Sequence, residues 1–390
     1  MIYPANFEQK IGFDRLRSQI AALCSMQAAK QLIEVEEFST SRATIEFRQD
    51  IADEMRVMLM LDSDAPRDEY PDMEGVLQKI GVEGTFLDCG EVVVLRQALT
   101  AVGNMVGFVM GRRQEQYPRL RGRSERVCVF PDIIRRINQI VDDEGVMRDG
   151  ASPELLMIRR SIREHEGQVS KRLQQVLNSA KKAGVVDAEA MISIRDGRAV
   201  IPVSAANKRK LNGFIHDESA TGKTFYIEPV EVVELNNQLK ELEYAERREV
   251  VRILTEFTES LMPDAEAIAA AGEYLTEMDA VRAKARWAIE NGAGKPIVST
   301  DDRLVLRNAF HPLLAQTLKR EKKELVPLNM QLDKEKHILV ISGPNAGGKS
   351  VCLKTAGIVQ YMFQCGFPVT AGEMSELPVF ESIWTKNTNE

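Results

Sequence analysis

Histidine and cysteine are scarce in this chain, at four and five among 390 residues. Four histidines support no Ser/His/Asp or Cys/His nucleophile set. The cysteines (Cys24, Cys89, Cys128, Cys352 and Cys365) are odd in number and scattered, with no CxxC pair. That argues against a zinc site and a disulfide framework, and it fits a reducing, cytoplasmic setting. No apolar run approaches the ~18 residues a membrane span requires. Met1-Ile2-Tyr3-Pro4 opens no signal peptide, so no membrane partner is expected. Positive charge is not in excess either. The formal charge of −7 argues against a uniformly basic nucleic-acid coat and leaves local basic patches open. No repeat of solenoid period and no low-complexity tract is found. What remains is globular composition, 44% apolar and 28% charged, in a chain long enough for two or three domains with a sizeable core.

The first 150 residues read as a helical core. A 3–4 spaced apolar stripe covers 7–35 (Phe13, Leu16, Ile20, Leu23, Met26, Ala29, Ile33), and a second covers 43–61. A helix hairpin is expected near 88–110 and a helix from Pro131 to Val141. The arginines at 112, 113, 119, 121, 123 and 126 read as a solvated loop face, because Gly111, Pro118 and Gly122 interrupt them. Ser152-Pro153-Glu154 has the residues of a helix start: a capping hydroxyl, proline at the first helical position, then an acid. From there a lever helix is expected over 151–184, about 50 Å long at 1.5 Å per residue. A returning lever helix over 230–262 starts after Pro229 and is ended by Pro263. Between them, 185–229 switches to alternating apolar residues. Asp196-Gly197 marks one hairpin and Ser219 to Lys223 a looser one. The expected architecture is mainly α: a helical core, long antiparallel lever helices and a small β clamp module at their tip. Core return helices (263–295) and an α/β nucleotide-binding domain (296–390) complete it.

The strongest chemical signal is Gly343-Pro344-Asn345-Ala346-Gly347-Gly348-Lys349-Ser350, which matches G-x-x-x-x-G-K-[ST]. An apolar run, 337–342, is expected to form the strand before it, and a helix beginning around Val351 follows. In such a loop the glycines turn backbone N–H groups onto phosphates, and the helix N-terminus adds positive potential. Lys349 would reach the β and γ phosphates of ATP, and Ser350 would ligate Mg²⁺. Ala220-Thr221-Gly222-Lys223-Thr224 ends in the same way, but Asp217 stands where the first glycine belongs, so it reads as a hairpin turn. His216, Asp217 and Glu218 lack a second cluster of metal ligands and read as a loop. Lys208, Arg209 and Lys210, with Arg195, Arg198 and Lys223 nearby, supply positive charge in the β module and are the candidate nucleic-acid contacts.

The order of these parts resembles the MutS family. Ile194-Arg195-Asp196-Gly197-Arg198 with Ile201-Pro202-Val203, and His216-Asp217-Glu218-Ser219-Ala220 through Phe225-Tyr226-Ile227-Glu228-Pro229, are similar to the family's second bacterial branch. Val233-Glu234-Leu235-Asn236-Asn237 and Phe310-His311-Pro312-Leu313-Leu314 continue the likeness. The resemblance implies a DNA-facing clamp and an ABC-class ATPase that dimerises. It also implies action on branched or double-stranded DNA to suppress recombination, or on stalled ribosomes. The mismatch-reading domain is absent from that branch, so mismatch recognition by an inserted aromatic is not expected, although binding of mismatched DNA belongs to the family. Many members end in a nuclease-like Smr domain. Only 40 residues follow Ser350, and the family's Walker B strand, signature loop and Smr domain would all lie beyond. The expectation is therefore a C-terminally truncated member that binds ATP but, by itself, hydrolyses it poorly. The alternative is a non-enzymatic nucleic-acid or ribosome clamp with a vestigial nucleotide site.

Overall fold

The computed structural model describes residues 2–82, 84–195, 197–343 and 348–385. The fold is mainly α with small sheets, and it divides into two compact units. One contains the chain up to Gln78, Val94–Ile134 and everything from Pro263 onward; the other contains Lys79–Val93 and Arg135–Met262.

A short strand, β1 (Ile2–Tyr3), precedes three helices, α1 (Phe7–Ile11), α2 (Phe13–Ala21) and α3 (Gln27–Val35). The single stripe expected over 7–35 is thus cut twice. Gly12 adopts φ +78°, and a β-carbon there would press on Leu313, so this turn admits only glycine without a shift. The second break is made from far along the chain. The fully buried Asp279 carboxylate accepts from the amides of Ser25 (2.7 Å) and Met26 (2.8 Å) just before α3, and Arg282 also donates to it. Next come α4 (Arg42–Leu61), α5 (Glu74–Lys79) and α6 (Cys89–Gly111).

The helix hairpin expected near 88–110 is instead the single helix α6. No proline interrupts it, and the helical Gly103 and Gly107 cost less than the packing of Leu95, Leu99, Val102 and Met105 returns. By length and composition alone α6 is long and apolar enough to cross a membrane, although Glu91 and Arg96 keep it from being an unbroken apolar run. Much of it is buried in the fold, as a core helix is. The arginine-rich stretch is a loop face only in part: Arg113 and Arg126 are exposed outside any helix, as expected. The middle of it forms α7 (Pro118–Ser124), and ion pairs tie Arg112 to Asp64, Arg119 to Asp50, Arg121 to Glu125, and Arg123 to Glu277.

After α8 (Pro131–Ile140), the second unit is built on α9 (Pro153–Lys182) and α10 (Val230–Ser260). Ser152 Oγ accepts from Leu155 N at 3.0 Å and donates to the buried Glu249 of α10, so one hydroxyl caps α9 and pins it to its partner. Arg159, two turns further on, bridges Glu246 and Asp149. Between these helices lie β2 (Ser193–Arg195), β3 (Arg198–Ser204), β4 (Gly213–Glu218) and β5 (Thr224–Pro229), an antiparallel sheet in the order β2-β3-β5-β4. Ile201, Val203 and Ile227 pack against Leu173, Leu177 and Ala180 of α9 and Val232 of α10. Burying each of the Val, Leu and Ile side chains contributes roughly 1.5–3 kcal/mol.

The chain returns through α11 (Ala265–Asn291), whose Ala271, Gly272, Ala283 and Ala288 let neighbouring helices approach closely around Trp287, Leu275 and Met278. A second sheet holds β6 (Ile297–Val298), β7 (Leu304–Ala309), β8 (Leu328–Leu332) and β9 (Glu376–Leu377), ordered β6-β9-β7-β8, with α12 (Pro312–Arg320) after β7. Only β6 and β9 pair parallel. Last come α13 (Lys349–Cys365), which precedes β9, and β10 (Ile383–Trp384), which pairs parallel with β1.

Candidate functional site

The nucleotide-loop sequence ends at the N-terminus of α13. Gly348 is the capping residue at φ +82°, a conformation that glycine adopts without strain, and Lys349 and Ser350 occupy the first turn. Cys352 N bonds Gly348 O at 2.9 Å, and the amides ahead of it are those a helix leaves without intrahelical partners. The Lys349 ammonium donates to the carbonyl of Gly343. Ser350 and Val351 are exposed. Pro344, Asn345, Ala346 and Gly347 lie outside the described residues. The expected strand over 337–342 does not form. Ile338 and Val340 are 76% and 82% exposed, and among the described residues no strand lies beside them. An apolar strand of this kind needs neighbours on both sides to hold its hydrogen bonds.

The other end of α13 is anchored. Every residue from Ile358 to Cys365 is buried. Gln364, fully buried, donates to the carbonyls of Ser39 (2.9 Å) and Phe380 (2.8 Å) and accepts from Gln360. Gln49 of α4 donates to the carbonyls of Phe363 (3.1 Å) and Phe367 (2.8 Å). Tyr361 donates to Glu8, itself paired with Arg17. Burial pushes the thiols of Cys352 and Cys365 up, the latter to about 12, so neither is a ready nucleophile. None of these glutamines was legible as functional, because a lone Gln in a helix carries no local signal.

Among the described residues here, a bound Mg²⁺ would find the Ser350 hydroxyl, with phosphate oxygens and water as further ligands. Among the described residues no group of three or more His, Cys, Asp or Glu could hold a metal. The residues thus fit a nucleotide-borne ion rather than a protein-held one.

In the β module the structure separates the candidate cations by role. Arg198 donates both to Glu228 (2.8 and 3.0 Å) and to Asn237 (2.8 Å). Arg195 lies over the Tyr226 ring and pairs with Asp217. Lys208 sits 4.2 Å from the Phe225 ring centre. Arg209, Lys210 and Lys223 are exposed. The 219–223 segment is a turn: Gly222 N bonds Ser219 O, and Ser219 N bonds Thr224 O. The residue that organises the module is Glu228, only 1% exposed, which also meets His216 (2.5 Å) and Asn236 Nδ2 (2.6 Å). Four elements, β3, β4, β5 and α10, thereby converge on one carboxylate. The family-like segments contain all of these residues, but nothing in their spacing shows that they share one centre.

No family model matches the chain. It is similar to proteins named endonuclease MutS2 from Pelotomaculum thermopropionicum (34% identical over 376 residues, 96% of this chain and 47% of that protein). The same name belongs to relatives from a Geobacillus species (34% over 374 residues, 95% and 47%) and from Finegoldia magna (31% over 376 residues, 96% and 47%). The chain spans about half the length of these curated relatives. They support a MutS2-type family for this chain.

Proposed function

We propose that this MutS2-type chain binds ATP with Mg²⁺ at the N-terminus of α13 and DNA, double-stranded or branched, through the exposed cations of the β module. Its role would be suppression of recombination, with stalled ribosomes the other substrate of the same character. The observation that supports nucleotide binding most directly is the Gly348–Ser350 turn opening α13, with the Lys349 ammonium on the Gly343 carbonyl. Bound phosphates would take the place of the Gly343 carbonyl at the Lys349 ammonium and add the first-turn amides. When bound, Mg²⁺ would neutralise the β and γ oxygens, and Ser350 would orient it. Hydrolysis by the 390-residue polypeptide should be slow, because the described residues bring no acidic cluster to hold the metal. A homodimer belongs to this reading as well.

Lys349→Ala tests it. Losing one charge-assisted interaction of about 1.5–3 kcal/mol predicts at least a tenfold weaker nucleotide affinity with helicity intact. Unchanged affinity would refute the site. For the module, Arg209→Ala, Lys210→Ala and Lys223→Ala should each weaken DNA binding. Each should also reduce the log–log salt slope by about 0.9 for every phosphate it leaves unneutralised. The second reading, a clamp with a vestigial nucleotide site, draws on the exposed 338–340 run. It predicts salt-sensitive DNA or ribosome binding that Lys349→Ala and added ATP leave unchanged.

A further inference from the structure

The module's sheet has two edges, β2 and β4, and they are unlike. Strand β2 is three residues long, and its Arg195 is engaged by Asp217 and Tyr226. Strand β4 is six residues long, hydrogen-bonded on one side only, and shows Phe214 at 59% and Ile215 at 52% exposure. Unpaired apolar edges template pairing with another strand, and proteins usually blunt them with charge or proline. Here the charges flank the apolar pair instead of interrupting it. The turn Lys208-Arg209-Lys210 precedes the strand, and Asp217-Glu218 ends it. The irregularity in the β4–β5 ladder falls between Ile215 and Asp217, so the Gly213–Ile215 stretch keeps regular pairing.

We propose that β4 pairs antiparallel with β4 of a second copy of this chain. A two-fold axis through Phe214 sets each Phe214 opposite its twin. It also brings Glu218 of each copy alongside the Lys210 turn of the other. Basic-to-acidic polarity along the strand makes the edge complementary to itself, which a closed two-fold interface requires. The same acidic end makes the strand a poor seat for phosphate, which favours a second copy over nucleic acid. Six residues per copy bury far less than the ~1,200 Å² of a standard stable interface. The association is therefore weak alone and gains strength when the copies are held together elsewhere.

Cross-linking the full chain tests register and partner together, in a Cys128→Ser background because Cys128 is exposed. Residues opposed in an antiparallel pair lie about 4.5–5.5 Å apart at Cα, within disulfide range. Phe214→Cys should form a symmetrical disulfide dimer under mild oxidation, at least tenfold faster than Glu166→Cys, an exposed control on α9. Added to Phe214→Cys, Lys210→Glu or Glu218→Lys should slow that reaction several-fold, and the two together should restore it. These side chains are exposed, so the fold should survive each change. Cross-linking no faster than the control, failure of the double reversal to restore it, or dependence on added DNA would overturn the proposal. Association through the exposed 338–340 run would give cross-linking indifferent to position 214, which counts against it equally.

Discussion

Removing the Glu228 carboxylate should loosen the β module while leaving the rest of the chain intact. Arg198, His216 and Asn236 all meet this buried group. In Glu228→Ala, Asn236 is left 2% exposed without that acceptor, a loss of about 1–3 kcal/mol for a buried polar group. Arg198 and His216 have side chains 23% and 22% exposed, so water recovers much of their loss, leaving roughly 0.5–1 kcal/mol each. Together this predicts about 3 kcal/mol, or roughly a hundredfold rise in local opening. Hydrogen exchange of peptides covering 198–237 measures that opening directly. Trp287 and Trp384, the only tryptophans, belong to the other compact unit, so their fluorescence should barely change. The paired replacement Arg198→Met with Glu228→Leu should cost less than Glu228→Ala, since it leaves no charge unmatched. A change below fivefold in exchange for Glu228→Ala would refute the view that this carboxylate holds the module together.

Three other outcomes follow from the packing. Gly213→Ala places a methyl against the Glu228 carbonyl and the Ile227 side chain, so the β4–β5 pair must separate; exchange in 213–229 should rise by more than about 1 kcal/mol. Gln364→Leu strips partners from the carbonyls of Ser39 and Phe380 and should cost about 2 kcal/mol or more, read by tryptophan-monitored denaturation. For pH, hydrogen bonds from Arg252 and then Ser152 hold Glu249 below the ordinary carboxylate range, and those from Arg159 and Arg163 do the same for Asp149. A depressed folded value means that the contribution is full above the unfolded value near ~4 and is lost as pH falls through the folded one. Amide exchange at 149–160 should therefore quicken below about pH 4, and Glu249→Gln should flatten that response.

Local chemistry was readable where one segment decides its own conformation. Ser152-Pro153 starts α9, β2 and β3 pair antiparallel as the expected hairpin requires, and Pro229 precedes α10. Reading failed where distant residues decide. The breaks in 7–35 depend on Leu313 and Asp279, the latter more than 250 residues away in sequence. Arg112, Arg119 and Arg123 were misread because their partners, Asp64, Asp50 and Glu277, come from other segments. The run 337–342 had the composition of a strand, but composition cannot supply the neighbours a strand bonds to. At the candidate nucleotide site the pattern proposes the residues, and only the structure shows how the helix behind them is secured.

The fixed rear half of α13 has a thermodynamic consequence for any anion arriving at its front. A helix held by Gln49, Gln364 and Tyr361 cannot rotate toward a ligand without breaking buried hydrogen bonds. Its axis, and the dipole along it, is oriented before binding. Association then carries little reorganisation cost on the helix side, and affinity depends on how well the ligand matches a direction already set.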